Sequence, residues 1–257
     1  MRILAIGDIV GKNGTDFVRS RLTQFKREHE IDMVIANAEN SAEGNGILPA
    51  VASSLLENGV DVITGGNHSF RRREIFPFLS SNRRITRPYN YPPATTPGVG
   101  YCKVDIKGIK VAVINLLGVV YLESLRSPFE AADEAISKCS DCPIKIVDFH
   151  AEATAEKRAL GYYLDGRISA FFGTHTHVQT SDEEILPRST GYITDVGMTG
   201  AIESVLGVKK ELSIKRMRCK IPTRFENAFG PCKMECVIFD IDEQSGKTKN
   251  VERFRVI

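Results

Sequence analysis

Carboxylates, carboxamides and imidazoles recur in this chain just after short apolar runs. Asp8 follows "RILAIG"; Asn37, Glu39 and Asn40 follow "DMVIA"; Asn67 and His68 follow "VDVIT" across two glycines. His150 closes "IKIVDF", and His175 and His177 follow "ISAFFG" in "GTHTH". The chain has 5 histidines, and only His29, at the end of a predicted helix, stands apart and is expected at the surface. A His-x-His pair in extended chain puts both imidazoles on one side. Mixed Asp, Glu, Asn and His ligands suit two borderline or hard cations such as iron, manganese or zinc. A carboxylate bridging ions about 4 Å apart is the arrangement that hydrolyses phosphoryl esters. Taken singly these residues have plainer readings: a carboxylate after a strand can cap a helix, and Asn-His after Gly-Gly can be turn chemistry. The joint pattern favours metal.

Other chemistries fit less well. In "GDIVGKNG" only three residues separate Gly7 from Gly11, and Asn13 follows Lys12, so a Walker loop is not formed. The glycines do not match the dinucleotide fingerprint either. Asp8 is then the residue of interest, with Gly7 and Gly11 expected to let the backbone pass close to the ions and Lys12 expected on the surface. "HAE" (150–152) starts a zinc-deaminase signature, but "PCKMEC" has one residue too many and lies far downstream. Glu152 is expected in the first turn of a helix, beside its dipole. No Gly-x-Ser-x-Gly elbow occurs. Of the 6 cysteines, "CSDC" has the spacing of half a zinc site and "CKMEC" does not, so reduced, packed or surface thiols are expected.

The elements that must position these residues follow from hydrophobic periodicity. Strands are predicted over 2–7, 32–36, 60–64, 110–117, 144–149 and 168–173, and helices over 13–29, 48–59, 128–138 and 152–163, with a short helix in "RREIFPFLS". The segment 86–100 is too rich in proline and glycine for regular structure and reads as a crossing between halves. From about 184 the pattern turns to β in "GYITD", "ELSIKRMRC" and "MECVIFDID". Strand–helix alternation early and hairpins late predict one layered α/β domain over 1–257 with mixed sheets. In such sheets ligands bind beyond the carboxyl ends of strands, where the polar residues lie. A net charge of +2 gives no overall basic field for nucleic acid. Arg71, Arg72, Arg73, Arg83, Arg84 and Arg87 do make a locally basic segment, read either as a solvated helix face or as an attraction for phosphate-rich substrate or RNA. Arg2 and Asp8 interrupt the first apolar run and no run approaches the length of about 18 residues of a membrane span, so a soluble, cytoplasmic protein is expected.

"GDIVG", "NAENS", "GGNH", "DFHAEATAEK", "GTHTHVQTSDEEILP" and "YITDVGMTG" resemble the YmdB-like branch of the calcineurin-like metallophosphoesterases, from residue 1 to about 230. The resemblance implies a four-layer α/β/β/α sandwich with two mixed sheets, a binuclear metal centre with iron as first choice and manganese or zinc as alternatives, and hydrolysis of phosphodiesters, notably 2′,3′-cyclic AMP, by a metal-bound hydroxide. It implies that Asp8, Glu39, Asn40 and His177 hold one ion and Asn67, His150 and His175 the other, with Glu39 bridging and His68 catalytic. It also suggests a homo-oligomer. The chain departs from the broader superfamily at Val10, where a histidine is usual, and in Ala-Glu-Asn (38–40), where Gly-Asp-x-x-Asp is usual; Phe70 and Arg71 stand where the branch often has Trp-Asp. The alternative from a different class is a metal-stabilised binding or regulatory module with little catalysis.

Overall fold

A computed structural model describes residues 1–257. One sheet contains β1 (Arg2–Ile6), β2 (Asp8–Ile9), β3 (Met33–Asn37), β4 (Val62–Thr64), β11 (Met198–Ala201), β12 (Cys232–Ile241) and β13 (Thr248–Val256), ordered β2-β11-β12-β1-β3-β4 with β13 also paired to β12. The other contains β5 (Tyr101–Ile106), β6 (Ile109–Leu117), β7 (Ile144–His150), β8 (Ala170–Thr174), β9 (Glu184–Ile185) and β10 (Gly191–Ile193), ordered β5-β6-β7-β8-β10-β9. Both are mixed. β1, β3 and β4 are parallel, as are β6, β7, β8 and β10, while β12 and β5 run antiparallel to their neighbours.

The inner strands β1, β3, β6, β7 and β8 alternate their side chains between two buried faces, which explains their near-continuous apolar character. Ile3 and Ala5 meet Val113, Ile146 and Phe172 between the sheets. Leu4 and Ile6 turn outward onto Val18, Leu22 and Phe25 of helix α1 (Gly11–Glu28), with Leu55 of α2 (Pro49–Glu57) and Leu79 of α3 (Phe76–Ser81) in the same core. Ile114, Val147 and Phe149 meet Ala131 and Ala135 of α4 (Pro128–Lys138) and Leu160 of α5 (Thr154–Leu164). The result is the expected α/β/β/α sandwich. The Pro-rich segment 86–100 carries the chain from the first sheet to the second.

Several elements differ from expectation. "ELSIKRMRC" is not a strand but lies in helix α6 (Lys210–Cys219). The Leu-Ser-Ile alternation is too short to bind a sheet, and the surrounding Lys, Glu, Arg and Met are helix formers. Strands β5, β11 and β13 have no clear signal in the sequence; β13 carries alternating charges and takes its register from β12. Helix α1 begins at Gly11, whose φ of 61° lies in the left-handed region. His29 is not a free surface residue: its ring packs 4.2 Å from that of Phe25 and 4.8 Å from that of Phe254.

Candidate active site

Both sheets point the carboxyl ends of parallel strands to one edge, and the chain turns sharply there. The first sheet delivers Asp8, Glu39, Asn40, Asn67 and His68 after β1, β3 and β4; the second delivers His150 at the end of β7, and His175 and His177 after β8. All eight converge. His150 Nε2 lies 2.9 Å from Glu39 Oε1, 3.0 Å from Asn67 Oδ1 and 3.0 Å from His175 Nδ1. Beside this group, Asp8 Oδ1 lies 3.6 Å from His177 Nε2, and Asn40 Nδ2 lies 3.2 Å from His177 Nε2 and 3.3 Å from Asp8 Oδ1. Glu39 Oε1 stands between the groups, 3.5 Å from Asn40 Nδ2. The Asn40 amide is planar, and either of its heavy atoms can occupy the inward position. His68 directs Nδ1 at Asn40 Oδ1 (2.9 Å) and Glu39 Oε1 (3.3 Å), while Nε2 faces the Asn45 side chain at the open side.

This donor set fits metal ions. One ring proton on His150 Nε2 can satisfy only one of the three acceptor atoms around it, whereas a cation between them satisfies all. Asp8 and Glu39 are buried, and their ion-pair partners are histidines, with no lysine or arginine among them. Such charge is costly to bury without a cation. Glu39, His150 and His175 offer donor atoms within 4.8 Å of one another. Burial opposes ionisation of Glu39 and Asp8, but the imidazoles beside them outweigh it and hold both carboxylates below their ordinary range. The same attraction, against burial, pushes His150 up to about 9; burial and the charge on His150 push His175 down to about 4.

The supports are as specific as the donors. Thr174 Oγ1 accepts from His150 Nδ1 (2.9 Å) and donates to Asp148 (2.7 Å), which also accepts from Thr64; this aims Nε2 inward. Burial pushes the Asp148 carboxyl up to about 7 against those hydrogen bonds. His175 and His177 have φ of 101° and 63°, in a region costly for residues with a side chain. The turn is held by the Asp8 carboxylate accepting from His175 N–H (3.0 Å), by Asp195 accepting from Thr176 N–H (3.1 Å), and by His177 Nδ1–H donating to the Leu206 carbonyl (3.0 Å). Asp195 is in turn paired with Lys157 at 2.7 Å, both fully buried. Asp148, Lys157 and Asp195 receive no role from the sequence reading. Signals exist: Asp148 is two residues before His150 on one strand, hence on the same face, and Asp195 is itself a polar residue after a strand.

Some expected roles move. It is Gly66, not Gly7 or Gly11, that lets backbone approach the donors: a Cβ there would sit 2.4 Å from Glu39 Oε2 and 2.3 Å from His150 Cδ2. Gly7 is needed against the Gly197 carbonyl, 2.2 Å from where its Cβ would be, and Gly11 against the Asn227 side chain. Glu152 precedes α5, and its carboxylate lies 3.0 Å from His175 Nε2 rather than at the helix dipole. Of the arginines, Arg71 and Arg72 line the cleft above the donors, Arg73, Arg83 and Arg84 are exposed elsewhere, and Arg87 is buried, donating to the Pro88 and Tyr89 carbonyls. Lys12 is exposed and paired with Asp16. Five cysteines are buried and Cys219 is exposed; none forms a disulfide.

The two-sheet sandwich with this cluster at its strand ends defines a metallophosphoesterase fold. A 5′-nucleotidase precursor from Thermus thermophilus shares that fold, with a TM-score of 0.59 at 12% identity over 100% of this chain and 54% of that one. The sequence profile of the YmdB-like protein family matches residues 4–254, and the chain belongs to that family. It is 46% identical, over 100% of its length and 97% of the other, to the 2′,3′-cyclic-nucleotide 2′-phosphodiesterase of Bacillus subtilis (strain 168). It superposes on the crystal structure of a novel phosphatase from Mycoplasma pneumoniae with a TM-score of 0.94 and 33% identity, covering 100% of this chain and 93% of that one.

Proposed function

We propose that residues 1–257 act as one domain, a metal-dependent phosphodiesterase that hydrolyses 2′,3′-cyclic nucleotides, with 2′,3′-cyclic AMP as the reference substrate. The observation that carries this reading is the convergence of Glu39, Asn67, His150 and His175 on one point beside Asp8, Asn40 and His177, at the floor of an open cleft. Asp8, Asn40 and His177 would hold one ion, Asn67, His150 and His175 a second, and Glu39 would bridge. Iron is the first choice, with manganese and zinc as alternatives. Bound divalent ions supply a water of lowered pKa and positive charge opposite the phosphoryl oxygens.

The chain's own residues do the rest. Asp148 and Thr174 keep the His150 proton on Nδ1, and the Leu206 carbonyl keeps that of His177 on its Nδ1, so both present Nε2. Water adds to phosphorus, the P–O2′ bond breaks, and the 2′ oxygen takes a proton, leaving a nucleoside 3′-phosphate. His68 is the group placed to give that proton. Glu39 Oε1, 3.3 Å from its Nδ1, is an acceptor that holds the Nδ1–H whichever way the Asn40 amide is turned, and Nε2, on the open side, exchanges protons with the leaving oxygen. No helix is long and apolar enough to cross a membrane, and the protein works in the cytoplasm, as a homo-oligomer by resemblance. The test is turnover of 2′,3′-cyclic AMP by protein reconstituted with iron, manganese or zinc. Hydrolysis that is lost in chelator and restored by metal is expected; cleavage of monoesters alone, or full activity in chelator, overturns the reading.

A further inference from the structure

The proposed reaction involves one phosphate, yet the cleft offers cationic and aromatic groups beyond those one phosphate uses. It measures about 1050 Å³ and, past the metal-ligating residues, is lined by Arg71, Arg72, Arg224 and Phe225. Ligand pockets commonly run to about 300–1,000 Å³, so there is room beyond a single nucleotide. Arg72 is committed to the fold, donating to the Glu43 and Asn45 carbonyls. Arg71 and Arg224 are exposed and pair with no carboxylate. The acids on the same cleft are mostly occupied: Glu226 by Lys209 at 2.6 Å and Glu152 by His175 at 3.0 Å, which leaves Glu43. Phe225 is 48% exposed, and it is exposed on the wall of this cleft.

The backbone beside that ring is anchored. Directly after it, Lys209 N–H donates to the Glu226 carbonyl (3.0 Å) and Ala228 N–H to the Gly207 carbonyl (2.8 Å). The loop that makes these bonds is the one whose Leu206 carbonyl fixes His177. Phe225 is therefore registered to the metal-ligating residues through one short loop.

We propose that this outer cleft is a subsite for the nucleotide 5′ to the scissile cyclic phosphate, with Phe225 stacking on its base and Arg71 and Arg224 meeting the linking phosphate, so that the substrate is an RNA 3′ end bearing a 2′,3′-cyclic phosphate. This rests on the phosphodiesterase reading above. A cyclic mononucleotide spends its only phosphate at the metal centre and leaves both arginines unanswered; a dinucleotide carries a second phosphate and a second π-face, and aromatic stacking recognises any base. Such ends arise when a ribose 2′-hydroxyl attacks the adjacent phosphodiester and expels the 5′-oxygen. That class of RNA strand scission would supply the substrate, and this enzyme would add one water to open the ring.

The experiment compares adenosine 2′,3′-cyclic phosphate, its 5′-phosphorylated form, and the dinucleotide ApA ending in a 2′,3′-cyclic phosphate, on metal-loaded protein. The dinucleotide should have a kcat/KM about tenfold or more above the mononucleotide, the scale of stacking one base, mostly through KM. Phe225→Leu, Arg71→Gln and Arg224→Gln should each move that ratio toward one, as should added salt for the wild type. Equal kcat/KM for mononucleotide and dinucleotide in the wild type overturns the subsite. A 5′-phosphorylated mononucleotide that gains as much as the dinucleotide, with Phe225→Leu neutral, overturns the RNA end. Binding of the products 3′-AMP and ApAp is measured on the same preparations. If nothing is cleaved but ApAp binds about tenfold tighter and the same variants erase the difference, the subsite stands and the reaction reading fails.

Discussion

Asn67 and His68 are neighbours in sequence, yet their side chains part: Asn67 Oδ1 turns to His150, and His68 turns to Asn40 and the open cleft. Binding and proton transfer can therefore be separated by substitution. His68→Ala is expected to lose about 10²–10⁴ in turnover, the usual worth of a general acid, and to keep its metal. His175→Ala and Glu39→Ala should lose metal and turnover together. Metal content and rate measured on the same samples decide it; an emptied His68→Ala site would make His68 a ligand. The cysteines give a second prediction at this scale. Burial pushes Cys102 up to about 12 and Cys139 up to about 11, and raises Cys142, Cys232 and Cys236 as well. Thiolate is the reactive form, so brief maleimide labelling of the native protein near neutral pH should modify Cys219, the exposed thiol, and spare the rest. Labelling of Cys139 or Cys142 in peptide maps would contradict this packing.

The turn from Thr174 to His177 supplies two of the three imidazoles that the second sheet brings to the site, His150 being the third. Its two histidines hold positive φ values that cost about 1–3 kcal/mol each, and the Lys157–Asp195 pair beneath it offsets that cost by anchoring Thr176. Lys157 crosses under Gly173, where a Cβ would sit 2.9 Å from its Cδ. Lys157→Met should leave the Asp195 charge buried without its partner and destabilise the protein by about 3–5 kcal/mol, the usual cost of breaking such a pair. Urea denaturation measures it, and a loss below about 1 kcal/mol would mean that Asp195 is satisfied by its backbone donors alone. Asp195→Asn in the Lys157→Met background removes the stranded charge and should recover part of the loss.

At the scale of the molecule, the residues proposed to hold metal join two sheets whose facing surfaces meet through apolar side chains such as Ala5, Ile35, Val113 and Ile146. Asp8, Glu39, Asn40 and Asn67 come from one sheet's strand ends, and His150, His175 and His177 from the other's. Metal that binds only the folded chain stabilises it by about 2.7 kcal/mol when present at about 100 times its Kd. For a chain of this size each kcal/mol corresponds to about 2–4 °C. Chelation should therefore lower Tm by several degrees, and manganese, iron or zinc should restore it in scanning calorimetry. A Tm indifferent to metal would show that the cluster is not occupied in solution.

The strand-end residues are legible from sequence alone because two local facts suffice. An apolar run bounded by glycine or a polar residue marks a buried parallel strand, and parallel strands send their carboxyl ends to one edge. Asp8, Glu39, Asn40, Asn67, His68, His150, His175 and His177 can be gathered this way before any contact is known, and the layered α/β class follows from the same alternation. What neighbours decide is not legible. β13 and β5 are strands because β12 and β6 pair with them, and Lys210–Cys219 is a helix because a short alternation with no sheet to join yields to helix propensity. Arg87, one of six arginines in a basic stretch, is buried only because the turn at Pro88 and Tyr89 closes over it. Which glycine must admit the donors, where Glu152 points, and how Lys157 comes to carry the His175–His177 turn all depend on atoms from segments remote in sequence meeting at hydrogen-bonding distance, about 3 Å, and only the packed chain brings them together.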